Sequence, residues 1–224
     1  LQAHRAGRGL LPENTLAAFE HALELGVSTL EMDVAITADG VAVVSHDPAL
    51  HAGLTRDARG RWLQSPGPLI KNLTLAEVQR YDVGRLNPDH AYGKTYPQQQ
   101  PRDGQRIPTL AAVFARVKAL GADDVQFDIE TKVFPTRPND TVAPEEFVRI
   151  MLAVIRQAGV AERVMIQSFD WRTLQLFQAA EPRIRTMYLT VRNQNRDNAA
   201  DPAWTAGRRV SDYPSVAHMI RAAG

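Results

Sequence analysis

The chain contains no cysteine among its 224 residues. A disulfide framework and thiolate metal ligation are therefore excluded, and the redox compartment is left open. No apolar run approaches the roughly 20 residues that a membrane-spanning helix requires, so stable membrane insertion is not expected. Charge of one sign is missing as well: 26 Lys and Arg stand against 25 Asp and Glu, a formal net charge of +1. That balance offers no electrostatic argument for nucleic acid or an anionic membrane surface as a partner. An initiator Met is absent at Leu1, which leaves room for a leader that has been removed.

What is present suits one ordinary catalytic domain over 1–224. Hydrophobic residues make up 44%, enough for one core, and a single α/β barrel commonly uses this length. Strand-like and helix-like stretches alternate, the pattern of a parallel sheet covered by helices. The expected strands are Leu1 to His4, one from Thr29, Val41 to His46, Asp124 to Thr131, Arg163 to Phe169 and Thr186 to Thr190. Helices are expected after Asn14 and Thr15, either of which can cap, then over Thr109 to Leu120, Pro144 to Ala158, Asp170 to Ala180 and Val216 to Ala223. Only seven residues separate Asp33 from Val41, too few for a helical crossover. A hairpin or an extended return segment must replace that helix, and both bring His46 back towards Glu31.

Two stretches break the alternation. Residues 48–106 are rich in Pro, Gly, Asn and Gln, with one short helical pattern at Leu75 to Tyr81, and read as a cap over the barrel mouth. Trp62, Tyr81, Tyr92 and Tyr96 in this cap either face substrate or, the favoured reading for each, form the cap's own small core. Residues 191–213 are polar and expected to be mobile.

The chemistry gathers near the start. In Thr29-Leu30-Glu31-Met32-Asp33-Val34 side chains alternate faces, so both carboxylates share one face. Like charges at that spacing repel, and a bound cation, a shared proton or a cationic side chain relieves them. A hard divalent ion with oxygen ligands is one solution; a solvated strand face is the plainer one. His4 and His46 in the same stretch add groups able to move protons near neutral pH.

The run His4-Arg5-Ala6-Gly7-Arg8-Gly9-Leu10-Leu11-Pro12-Glu13-Asn14-Thr15, followed by Glu31-x-Asp33, Thr37-x-Asp39-Gly40 and His46-Asp47, resembles the glycerophosphodiester phosphodiesterase family. The resemblance continues through Leu73 to Glu77, Ile107 to Leu110, Asp128 to Lys132 and Gln167 to Asp170. Ala6 departs from the pattern, standing where the family has Gly after His-Arg, and Ala takes a positive φ only at a cost.

The resemblance implies a TIM-type (β/α)8 barrel, C-terminally incomplete in this chain, with the cap inserted after the third strand. It implies His4 and His46 as catalytic acid and base, and Arg5 and Lys132 as phosphate-binding cations. Glu31, Asp33 and Glu130 would ligate a divalent cation, Ca²⁺ or Mg²⁺. The implied reaction is hydrolysis of small-molecule glycerophosphodiesters to sn-glycerol 3-phosphate and an alcohol. The nucleophile is either water or the neighbouring glycerol hydroxyl. Family habit points to periplasmic or secreted placement. Two further readings are a phospholipase D-like enzyme on lysophospholipid or sphingomyelin headgroups, and a barrel that binds phosphodiesters without cleaving them. Asp128, on the face of Glu130, reads as a supporting or outlying ligand or as a buried structural acid.

Overall fold

The computed structural model describes residues 1–224. Six strands form one sheet: β1 (Gln2–Ala3), β2 (Thr29–Ile36), β3 (Ala42–Val44), β4 (Gln126–Thr131), β5 (Val164–Ser168) and β6 (Arg185–Tyr188). The order β1-β2-β4-β5-β6 is parallel throughout, with β3 antiparallel beside β2. The sheet is an open arc in which β1 and β6 do not pair. Leu30, Met32 and Val34 of β2, with Phe127 and Ile129 of β4, enter one continuous core. Their alternate neighbours Glu31, Asp33, Asp128 and Glu130 are thereby turned to the other face.

Helices α1 (Leu16–Glu24), α3 (Leu110–Ala119), α4 (Pro144–Ala158) and α5 (Trp171–Ala180) fill the connections between the parallel strands. Each start is written locally. Thr15 Oγ1 caps α1, Thr109 caps α3, Pro144 opens α4 and Asp170 caps α5. Asn14, one of the two candidate caps for α1, is therefore released for another task. A last helix, α6 (Val216–Ala223), buries Met219 and Ala223. No helix is long and apolar enough to cross a membrane.

Of the two routes open between Asp33 and Val41, the chain takes the hairpin. Thr37 Oγ1 donates to Asp39 at 2.6 Å, and Gly40 supplies the φ of 74° that the turn requires. The returning strand pairs Val44 with Val34.

The cap over 48–106 contributes Leu50, Ile70 and Val78 to a small second core, where they pack with Ala35, Val43 and Ile107. Its one α-helix, α2 (Leu75–Val78), begins at a capping box between Thr74 and Glu77. Asp39 also accepts from the Leu75 N–H at 3.0 Å, tying hairpin to cap. The segment 191–213, expected to be mobile, is packed at its centre: Asn198, Ala199 and Thr205 are buried, and Trp204 stands edge-on to Phe134. Asn198 turns its amide inward there, donating to the Leu189 carbonyl and accepting from the Val191 N–H.

Candidate active site

Strand register builds the centre. In the parallel β2/β4 pair Glu31 lies opposite Asp128 and Asp33 opposite Glu130, so four acids form a two-by-two patch on one face. Ligand oxygens of Glu31, Asp33 and Glu130 lie within 4.8 Å of one another, and all three residues are buried. Asp128 sits one step down the strands and outside that trio. Gln2 donates to its Oδ2 at 2.7 Å, while its Oδ1 has no partner.

So much buried negative charge shifts protonation. Burial, then the neighbouring Asp33, push Glu31 up to about 8. Burial raises Glu130 as well, against the pull of Lys132, and raises Asp128 to about 6. Asp33 moves the opposite way: burial alone would raise it, but Lys132, His46 and Arg5 hold it below the ordinary carboxylate range. Lys132 Nζ lies 2.8 Å from Glu130 Oε1 and 3.6 Å from Asp33 Oδ1. Asn14 Nδ2 donates to Asp33 Oδ2 at 3.2 Å, and Gln167 on β5 donates to Glu31 Oε1 at 2.9 Å.

Loops supply the remaining groups. His4 and Arg5 leave the end of β1 in a tight turn where Arg5, Ala6 and Gly7 have φ of 49, 60 and 87°. Ala6 thus adopts the left-handed conformation that glycine would take more cheaply. The turn is anchored by the Arg5 N–H, which donates to Glu31 Oε2 at 2.6 Å. His4 Nε2 is 3.9 Å from the same oxygen, and the His4 side chain remains 56% exposed. Burial, followed by the charges of Arg8 and Arg5, lowers the His4 pKa. Arg5 Nε is 3.5 Å from Asp33 Oδ2, and Arg5 Nη1 donates to Glu13 at 2.9 Å.

His46 returns on the hairpin. The Ser45 N–H donates to the Asp33 carbonyl at 2.9 Å, which sets the next residue beside the cluster. His46 Nδ1 is 2.9 Å from Asp47 Oδ1, and its charge is felt at both Asp33 and Glu130.

All seven residues singled out from sequence, His4, Arg5, Glu31, Asp33, His46, Glu130 and Lys132, therefore meet at one mouth of the sheet. Sequence reasoning missed the contact of Gln167 with Glu31. For Asn14 it weighed a place beside the metal carboxylates against a helix cap and favoured the cap, whereas the side chain meets Asp33. Gln167 was visible only as an in-register neighbour, since β5 pairs Gln167 with Glu130. Among the cap aromatics, Tyr81 packs in the cap core and Trp62 lies under Arg56. Tyr92 instead reaches Glu13, Arg5 and Arg8.

The residues suit a hard cation. Three carboxylates converge, Asp33 Oδ1 is a buried acceptor without a hydrogen bond, and a divalent charge would relieve the repulsion that raises Glu31.

Residues 4–219 match the model of the Glycerophosphoryl diester phosphodiesterase family. A Bacillus subtilis protein, provisionally named a glycerophosphodiester phosphodiesterase, is 34% identical over 96% of this chain and 75% of its own length. A glycerophosphodiester phosphodiesterase from Caldanaerobacter subterraneus is 31% identical over 82% of this chain and 63% of its own. A solved structure from Silicibacter pomeroyi, provisionally named a glycerophosphoryl diester phosphodiesterase, superposes with a TM-score of 0.81 at 35% identity. It covers 88% of this chain, which in turn spans 66% of that one. The match spans residues 4–219, strands and cap included, and the chain belongs to the glycerophosphoryl diester phosphodiesterase family.

Proposed function

We propose that this protein hydrolyses glycerophosphodiesters to sn-glycerol 3-phosphate and an alcohol. The observation that carries this reading is the convergence of Glu31, Asp33 and Glu130 within 4.8 Å beside His4 and the cations Arg5 and Lys132. A structural relative from Oleispira antarctica has been solved with the product sn-glycerol-3-phosphate.

Glu31, Asp33 and Glu130 would hold a divalent cation, Ca²⁺ or Mg²⁺. When bound, it supplies Lewis-acid polarisation of the phosphoryl oxygens and lowers the pKa of a coordinated hydroxyl. Arg5 and Lys132 add fixed positive charge that binds the phosphate and offsets its negative charge in substrate and transition state alike. Burial is what makes that charge effective, because few waters compete for it.

The two imidazoles divide the proton work: one takes the nucleophile's proton and the other protonates the departing alkoxide. Burial and the charges of Arg8 and Arg5 lower the His4 pKa, which favours the neutral imidazole that the accepting role uses. Asp47 orients the His46 ring from Nδ1, leaving Nε2 for the other transfer. Asn14 and Gln167 hold the Asp33 and Glu31 carboxylates in place from the side.

The test is to exchange His4 and His46 singly for Ala and to follow hydrolysis of glycerophosphocholine. Each change is expected to lower turnover about 10²- to 10⁴-fold, the usual worth of a positioned acid or base, with an unaltered circular dichroism spectrum. Undiminished turnover in either variant would remove that residue from the chemistry. Lysophosphatidylcholine supplied in parallel separates the phospholipase D-like alternative.

A further inference from the structure

The cap reaches back to the turn that carries His4 and Arg5, and it does so through one phenol. Tyr92 Oη donates to Glu13 Oε2. Glu13 is buried, and its other oxygen accepts from Arg5 Nη1 at 2.9 Å. Arg5 Nη1 and Arg8 Nη1 also lie 3.4 and 3.3 Å from the same Tyr92 oxygen. Around this knot the cap adds further ties. Gln99 Nε2 donates to the Arg8 carbonyl at 2.7 Å, the Gln100 N–H donates to the Leu10 carbonyl at 2.8 Å, and the Arg8 guanidinium sits 5.1 Å from the Tyr96 ring centroid.

Glu13 thus takes up Arg5 on its Nη1 side. On the other side Arg5 Nε is buried, faces Asp33 and makes no hydrogen bond. With Nη1 on Glu13 and Nε against Asp33, the guanidinium is held in place and has Nη2 left to meet a phosphate oxygen. Without the phenol, one Glu13 oxygen loses its donor, and the carboxylate becomes free to rotate and take Arg5 with it. The turn has reason to move, since Arg5 and Ala6 both hold a φ that L-residues adopt at a cost.

We propose that Tyr92 is a positioning residue for the phosphate-binding Arg5, acting from the cap through Glu13. This role rests on the phosphodiesterase reading above. The residue touches neither the reacting atoms nor the carboxylate cluster. It fixes where Arg5 Nη2 points, and so links the cap to recognition of the phosphate. Because Arg5 meets the phosphate in ground state and transition state alike, the loss falls mainly on binding.

Tyr92→Phe removes the hydroxyl and keeps the ring against His51 and Tyr96, whose centroids lie 5.2 and 5.8 Å away. The variant is expected to keep its circular dichroism spectrum, to melt a few degrees lower, and to raise KM for glycerophosphocholine about tenfold. Its kcat should change less than about threefold. In a Glu13→Gln background the same exchange should add almost nothing, since both act on one guanidinium. Amide hydrogen exchange over residues 4–11 should quicken in Tyr92→Phe. An unchanged KM, or independent losses in the two backgrounds, would overturn the proposal. A parent protein that turns over no glycerophosphodiester would instead overturn the phosphodiesterase reading. Exchange over residues 4–11 then decides the clamp by itself: quickening in Tyr92→Phe supports it and no change removes it.

Discussion

The two halves of the site are built in opposite ways. Glu31, Asp33 and Glu130 stand on neighbouring central strands, buried, with their spacing set by register. His4, Arg5 and His46 stand on turns at the strand ends, partly exposed, with their positions set by a strained backbone, a hairpin and the cap. The strand half stores repulsion and the loop half stores conformational strain. Each half has something to relieve it: Lys132 and the proposed cation for the carboxylates, and the cap together with Glu31 for the turn.

The largest effect separating the halves should be the pH dependence of stability without divalent cation. Glu31 titrates near 4.5 in the unfolded chain and near 8 in the folded one. Between those values the folded protein holds a proton that the unfolded chain has lost. Stability from this group is therefore complete below about pH 4.5 and declines as pH rises towards 8. Ca²⁺ or Mg²⁺ should flatten that decline by stabilising the ionised cluster. Urea unfolding across this range, with and without cation, measures both, and a stability that rises with pH in the cation-free protein would break the picture of the strand half.

A smaller effect is expected of Lys132→Met. Removing a buried ammonium leaves Glu130 and Asp33 without their bridge, at a cost of about 3 kcal/mol. Millimolar Ca²⁺ should restore part of the loss, whereas no cation-dependent recovery would show that Lys132 and the ion do not share the same carboxylates.

The smallest effect belongs to the loop half. Ala6→Gly relieves a left-handed alanine but adds freedom to the unfolded chain, so a gain of about 0.5 kcal/mol is expected. A loss of that size in thermal unfolding would mean that the Ala6 methyl, buried in the core, contributes more than its backbone costs.

This contrast also explains what the sequence made legible. Alternation in Thr29 to Val34 and in Val125 to Glu130 exposes the shared face of the carboxylates directly, because strand period is two whatever surrounds it. The order and type of the strands follow from the same periodicity, and seven residues between Asp33 and Val41 forbid a helix on length alone. The loop half had no such period. Asn14 looked like a helix cap until Thr15 proved to hold that place. Its contact with Asp33 depends on a φ of 57° that no local pattern announces. The reach of Tyr92 to Glu13 spans 79 positions and depends on how the cap folds back. The packing of the segment after β6 was hidden for a related reason, since a polar composition does not reveal which amides turn inward.

The central claim is that Glu31, Asp33 and Glu130 together hold the divalent cation on which hydrolysis depends. It is tested most directly by release of sn-glycerol 3-phosphate from glycerophosphocholine after exhaustive chelation, followed by addition of Ca²⁺ or Mg²⁺. Turnover should vanish on chelation and return with one of the two ions in the parent protein, but not in Glu31→Gln. Full turnover in the chelated protein would contradict the account.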